Sequence, residues 1–324
     1  MDAILNRRTF SKIALGLGAA SLPAARAQAP RKVKIGHTCI TWVLMDRSSG
    51  PAGPGSAPGT ARRGGGIQTD PAVIGQTIEE IAGLGFYGVE FFGQNLEGME
   101  ANGGLGRLLD KYQLPLISEY GGPNLTDPSQ RKESIEKVLG WAKILKKYGG
   151  KVVVLGPNSV PRNSYDFKAY KDNIVTTLNE CAKAVADLGL TAALHQHTGT
   201  CVETRDETYA VMEAVDTRYV KFGPDIGQLQ KGGSDPVQVV KDFLPLVQHM
   251  HLKDFSGGRD YLGYCPLGQG KVNIPAILDM MDGKTIAGMI MVELDPSPGM
   301  PLAPLETARI AKAYLQKQGV AFRI

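Results

Sequence analysis

From residue 33 onward, short apolar runs alternate with longer segments of helical periodicity. The runs are Val33 to His37, Gly88 to Phe92, Leu114 to Glu119, Lys151 to Leu155, Leu190 to His195, Tyr219 to Gly223, Leu246 to His251 and Gly288 to Glu293. Between them the spacing predicts helices over 70–84, 98–112, 127–148, 166–188, 205–215, 235–243, 274–281 and 305–318. In the first of these, Val73, Ile74, Ile78, Ile81 and Ala82 share a face behind an Asp70-Pro71 start. Such alternation requires parallel strands joined by right-handed crossovers. Eight units predict one α/β domain over 28–324, a (β/α)8 TIM barrel, and a chain of 324 residues is long enough for it. The alternative is an open doubly wound sheet. Against it, no glycine-rich dinucleotide turn follows the first run, and Gly-Pro-Gly-Ser-Ala-Pro-Gly does not lead into a helix.

The N-terminus reads as an address. Asn6-Arg7-Arg8-Thr9-Phe10-Ser11-Lys12 precedes a mild apolar run, and Ala25-Arg26-Ala27 then supplies a small-residue cleavage pattern. The paired arginines resemble the twin-arginine export signal. Residues 1–27 are therefore expected to be a signal peptide, with export machinery as a partner and the bacterial periplasm or the exterior as destination. Cleavage would remove four basic residues and one acidic one, taking the net charge from +4 to +1. A charge so near zero argues against a nucleic-acid-binding surface. No stretch of about 18 apolar residues predicts a membrane span. Residues 46–66, rich in Gly, Pro and Ser, are expected to be a surface loop inserted into the barrel. The four cysteines, Cys39, Cys181, Cys201 and Cys265, are expected to be free thiols.

A barrel collects its chemistry at the C-terminal ends of its strands. All five histidines, His37, His195, His197, His249 and His251, fall at or just beyond the ends of the first, fifth and seventh runs. Asp225 follows the sixth run and Glu293 ends the eighth, in otherwise apolar surroundings. A carboxylate buried there unpaired costs several kcal/mol, roughly. A divalent cation held by His195, Asp225, His251 and Glu293 would supply the missing charge. Mixed nitrogen and oxygen donors suit Mn, Fe, Co or Zn rather than Ca or Mg, with manganese the favoured expectation.

Several stretches make the chain resemble the sugar phosphate isomerase/epimerase group of xylose-isomerase-like barrels, which includes inosose dehydratases. They are Gly88-Val89-Glu90-Phe91-Phe92, Leu194-His195-Gln196-His197-Thr198-Gly199-Thr200 and Pro224-Asp225-Ile226-Gly227. The others are His249-Met250-His251-Leu252-Lys253-Asp254 with Pro266-Leu267-Gly268-Gln269-Gly270, and Val292-Glu293-Leu294-Asp295. The resemblance covers about 32–320. It implies metal ligands from strands five to eight, at His195, Asp225, His251 and Glu293. The pattern departs from the epimerases at two places. They carry a proton-moving glutamate where this chain has His195. The common Asp-Thr-Gly-His is Asp225-Ile226-Gly227-Gln228 here, and Gln228 cannot shuttle a proton at neutral pH. The histidine cluster is closer to the inosose dehydratases.

The chemistry expected is enolisation of a keto-sugar, keto-glycoside or cyclitol next to its carbonyl. The cation polarises the carbonyl and a base removes the adjacent proton. Returning the proton elsewhere isomerises or epimerises; expelling the next oxygen makes the enzyme a dehydratase or lyase. Candidate bases are His197, Glu293 and Glu119. Lys253 is placed to steady an oxyanion, with Asp254 beside it, and Glu90 to order a ligand histidine. His37, Trp42, Glu119, Gln228 and Arg259 are the candidate substrate contacts, and Phe91, Phe92 and Tyr120 are further aromatic candidates. No tight arginine cluster or anion nest supports a phosphorylated substrate. Two rival readings share the barrel: a metal-dependent DNA-repair nuclease, which the charge disfavours, and a sugar-binding barrel without catalysis. A homo-oligomer is compatible with all of them.

Overall fold

The computed structural model describes residues 30–43, 67, 69–297 and 299–324. The expected signal peptide at 1–27 and the inserted loop at 46–66 lie outside the described residues. Eight parallel strands form the barrel: β1 Ile35–Thr38, β2 Val89–Phe92, β3 Leu116–Gly121, β4 Val152–Leu155, β5 Thr191–Leu194, β6 Val220–Phe222, β7 Met250–Leu252 and β8 Ile290–Val292. They neighbour one another in the order β6-β5-β4-β3-β2-β1-β8-β7. Two parallel bridges, Phe222 with Val247 and Asp225 with His251, bring β6 to β7 and nearly close the ring. The Gln248 N–H donates to Phe222 O at 3.0 Å and the His251 N–H to Pro224 O at 2.9 Å.

Helices follow the strands as the periodicity predicts, with local differences. Pro71–Gly83 is capped by Asp70, whose carboxylate accepts from the Ala72 N–H. Arg205–Met212 starts on a reciprocal Thr204–Glu207 capping box. The single helix expected over 98–112 is two, Gly93–Ala101 and Leu105–Tyr112. Asn102-Gly103-Gly104 separates them, a run of poor helix formers. A short helix, Ile226–Lys231, and an antiparallel hairpin pairing Asp254–Phe255 with Tyr264–Cys265 were not anticipated.

Register decides which side chains face the barrel's interior, because laterally paired residues of parallel strands point the same way. Thr38 pairs with Glu90, Glu90 with Ser118, and Tyr120 with Val154. Tyr120, Val152, Val154 and Ala193 pack together as a small cluster inside the ring. The other parity faces the helices. Ile35, Val89, Val153, Ala192, Leu252 and Val292 belong to the large core between strands and helices. Continuing the inward rows past the strand ends brings His195, Asp225, Lys253 and Glu293 together at the barrel's mouth.

Candidate metal centre

His195, Asp225, His251 and Glu293 are each at most 5% exposed. Donor atoms of His195, Asp225 and His251 lie within 4.8 Å of one another. The local backbone sets their aim. The His195 Nδ1 is 3.1 Å from Gly223 O. A carbonyl only accepts, so Nδ1 carries the proton and Nε2 keeps its lone pair. That Nε2 faces the Asp225 Oδ2 at 4.0 Å. Asp225 is also the N-cap of Ile226–Lys231, with Oδ1 accepting from the Gly227 and Gln228 N–H groups. Capping fixes one oxygen and leaves Oδ2 turned to the interior. Burial, opposed by Lys253, raises the Asp225 carboxyl to about 6.

His251 lies between two carboxylates: Nδ1 is 2.5 Å from Glu293 Oε2 and Nε2 is 2.8 Å from Glu90 Oε1. Burial would lower its pKa, but these two carboxylates hold it well above the ordinary value. Burial likewise opposes ionisation of Glu90 and Glu293, yet their cationic neighbours keep both well below the usual carboxylate range. His195 and His249 are pushed down, chiefly by burial. Despite the short approaches, His195 Nε2, Asp225 Oδ2 and His251 Nδ1 are buried without an aligned hydrogen bond. Three converging nitrogen and oxygen donors left in this state fit a divalent transition metal or zinc. Glu293, whose Oε2 is 2.5 Å from His251 Nδ1, stands beside this triad without belonging to it.

Lys253 is the other cation of the cluster and has no exposed surface. Its Nζ donates to Glu293 Oε1 at 2.6 Å and to Asp295 Oδ1 at 3.1 Å, and lies 3.0 Å from Asp225 Oδ2. The ring of Tyr264 is 4.7 Å away. Burial would neutralise this amine, but Asp225, Asp295 and Glu293 keep its pKa well above the ordinary value. Two of its protons thus go to Glu293 and Asp295, while Asp225 is held by charge alone. Glu90, Asp225, Glu293 and Asp295 place four negative charges here against the two positive charges of Lys253 and His251, a surplus of two negatives.

A polar relay borders the triad. The Thr198 N–H donates to Gln228 Oε1 at 3.2 Å, and Thr198 Oγ1 and Tyr264 OH reach the same oxygen at 2.7 and 2.5 Å. Because a backbone N–H can only donate, the amide orientation is fixed, and Gln228 Nε2 must face His197 Nε2 at 2.8 Å. His197 therefore accepts on Nε2 and donates from Nδ1 to Thr198 O. Gln228 and His197 thus meet beside the triad.

Other expected site residues do not. Glu119 pairs in register with Phe91 and Val153, both members of the helix-facing core. It therefore points away from the barrel interior, and is neither base nor substrate contact. His37 pairs with Val89 and Val292, also outward. Its ring packs edge-on against Trp42 and Phe86, and burial lowers its pKa to about 4. Trp42 lies in the same layer, with its indole N–H given to Glu80. Arg259 stands exposed in the hairpin loop and makes no bond to the buried cluster. His249 precedes β7 and meets Glu90 deep in the ring, so the five histidines do not share one rim. Asp254 does not touch Lys253. Its carboxylate gathers the N–H groups of Phe255, Gly268, Gly270 and Val272 and winds the Pro266–Gly270 loop around itself. Gly268 takes φ +86°, and a Cβ on Gly270 would stand 2.1 Å from Asp254 Oδ1, so both glycines are required. Asp295, Tyr264 and Thr198 were missed as site residues. For Asp295 a signal existed, since two positions past Glu293 is the same face of an extended chain.

A family model described as the xylose isomerase-like TIM barrel matches residues 78–318. An inosose dehydratase from Geobacillus kaustophilus (strain HTA426) is 25% identical over 272 residues, covering 75% of this chain and 86% of the relative. Among solved structures, the IolI protein with a bound zinc atom superposes with a TM-score of 0.67 at 17% identity, over 89% of this chain and 98% of that one. The 3-keto-D-glucoside 4-epimerase YcjR from E. coli does so at 0.62 and 15%, over 89% and 99%. With the model spanning most of its length, the chain belongs to the xylose isomerase-like TIM-barrel family.

Proposed function

We propose that this protein is a divalent-metal-dependent dehydratase of a polyhydroxy ketone, an inosose or related keto-sugar, with His195, Asp225, His251 and Glu293 holding the cation. The observation that carries this reading is the buried convergence of three donors without aligned partners, beside two surplus negative charges. When bound, the cation would act as a Lewis acid that acidifies the C–H next to a chelated carbonyl. Manganese, cobalt, iron and zinc all suit the donor set, and manganese is favoured.

The chain's own residues supply the rest. Thr198 and Gln228 offer hydroxyl and amide groups to substrate oxygens. His197 Nε2, whose lone pair is held by Gln228, takes the proton once that amide turns to substrate. The same proton returned to the oxygen on the next carbon releases one water, so the reaction needs no oxidant or second substrate. Lys253, surrounded by carboxylates, holds Glu293 and Asp225 rather than acting as an acid. The similarity to inosose dehydratases favours elimination over isomerisation. A keto-glycoside losing its aglycone by the same chemistry is the alternative, supported by the likeness to a keto-glucoside epimerase. The twin-arginine-like leader supports a reaction outside the cytoplasm, and replacing Arg7 and Arg8 by lysines should block export.

The test is direct. Protein purified without added metal is analysed for bound ions, loaded with manganese, and incubated with inososes and keto-sugars in deuterated water. Mass spectrometry reads loss of water or of an aglycone. Metal-loaded protein that neither exchanges a C–H nor eliminates from any of them would refute the proposal.

A further inference from the structure

The reading above gives Asp295 no role, yet it is 4% exposed and its Oδ1 accepts from Lys253 Nζ at 3.1 Å. Two of the three carboxylates around that ammonium, Glu293 and Asp225, are the ones assigned to the cation. An ammonium facing only those two would grip them by short charge-assisted contacts and compete for the same oxygens. Asp295 is outside the donor triad and shares the ammonium with them. Tyr264 covers a further side of Nζ with its ring.

We propose that Asp295 is a positioning residue acting through Lys253: it draws the ammonium partly off Asp225 and Glu293, so that both stay aligned yet remain free to bind a divalent cation. This rests on the proposed cation site. Asp295 touches neither substrate nor cation; its effect is on how tightly the cation is held.

The experiment is zinc titration of metal-stripped protein against a chromophoric chelator, in wild type, Asp295→Asn, Lys253→Met and the double variant. Asparagine at 295 is expected to weaken zinc binding about ten-fold, the usual cost of losing a supporting partner. With Lys253 absent there is no ammonium to share, and the same replacement should change affinity by no more than about two-fold, the scatter of independent sites. Equal losses in both backgrounds would make Asp295 a plain charge or a structural prop and overturn the proposal. Asp295→Glu, which restores a carboxylate, is expected to recover most of the affinity, and failure to recover it counts against the proposal too. Thermal melts confirm folding of each variant, and Lys253→Gln replaces Lys253→Met if the latter does not melt cooperatively. A wild type that binds no zinc removes the cation site and this inference together; a zinc-binding wild type with equal losses removes the inference alone.

Discussion

Glu119 offers the sharpest test of how register assigns roles. The carboxyl is fully buried and neither oxygen has a hydrogen-bond partner. It lies close enough to the Cys181 thiol, on the helix Phe167–Asp187, to help burial push that thiol up to about 12. Burial, reinforced by the charge of Glu90, raises the Glu119 pKa well above its ordinary value, so the neutral acid is the buried form. An unbonded polar group in such a place costs about 1–3 kcal/mol. Glu119→Met, similar in length and apolar, is expected to recover about that much, seen as a melting temperature higher by about 2 °C or more per kcal/mol. Glu119→Gln keeps a polar group but cannot ionise, so it isolates the pH term. The sign follows from linkage. At pH values below the unfolded pKa both states are protonated and the folded state bears no penalty. As pH rises above it, the unfolded carboxyl ionises while the buried one stays neutral. Stability is then lost at up to about 1.4 kcal/mol per pH unit until the folded pKa is passed. Urea unfolding of wild type and both variants at a series of pH values from 4 upward measures this. The wild-type curve should fall away from that of Glu119→Gln as pH increases, with turnover unchanged in both variants. Parallel stability curves, or loss of turnover in Glu119→Met, would refute the outward assignment.

Four further outcomes follow from the structure. His251→Ala should abolish metal binding and turnover together, read by metal analysis and the elimination assay; full activity of a metal-free preparation would end the mechanism. Metal affinity should rise with pH across the region near 6, because binding must displace the proton His251 holds between two carboxylates and the proton Asp225 takes up at about 6; a flat affinity between pH 5 and 8, measured by chelator competition, would contradict that. His37→Leu should leave KM within about two-fold, since the ring faces the helices, whereas Gly270→Ala should unwind the Asp254-bound loop and lower stability by more than about 1 kcal/mol.

Much of the fold was legible because eight apolar runs of strand length, each followed by a helical period, leave few topologies. Boundaries shifted by one to four residues where only lateral pairing defines a strand, as at β7, which begins at Met250 rather than Leu246. Ile226–Lys231 escaped notice because Asp225, read as a ligand, is also its cap, and one residue doing both leaves no separate start signal. The sequence placed Glu119 and His37 near strand ends but could not say which face they take. A slip of one residue reverses every side chain, and the outer core of a parallel barrel is as apolar as its interior. For Glu119 and His37 only the neighbouring strand's register decides.

The same register bears on which reaction the barrel suits. An epimerisation by two carriers needs a proton acceptor on each side of the reacting carbon. On the β8 side stands Glu293, its carboxylate held by Lys253 and in contact with His251. Across from it, at the end of β5, is His195, whose Nδ1–H is tied to Gly223 O and whose lone pair faces the proposed cation position. As a ligand in the proposed site, a nitrogen fixed in that tautomer has no free site for a substrate proton. The remaining carrier is His197, whose Nε2 is held by the Gln228 amide. One carrier suffices for dehydration, because the proton taken from carbon can leave with the departing hydroxyl. If Glu in place of His195 restored a second carrier, His195→Glu would be expected to add C–H exchange with inversion while elimination slows; unchanged product ratios would detach the choice of reaction from this residue.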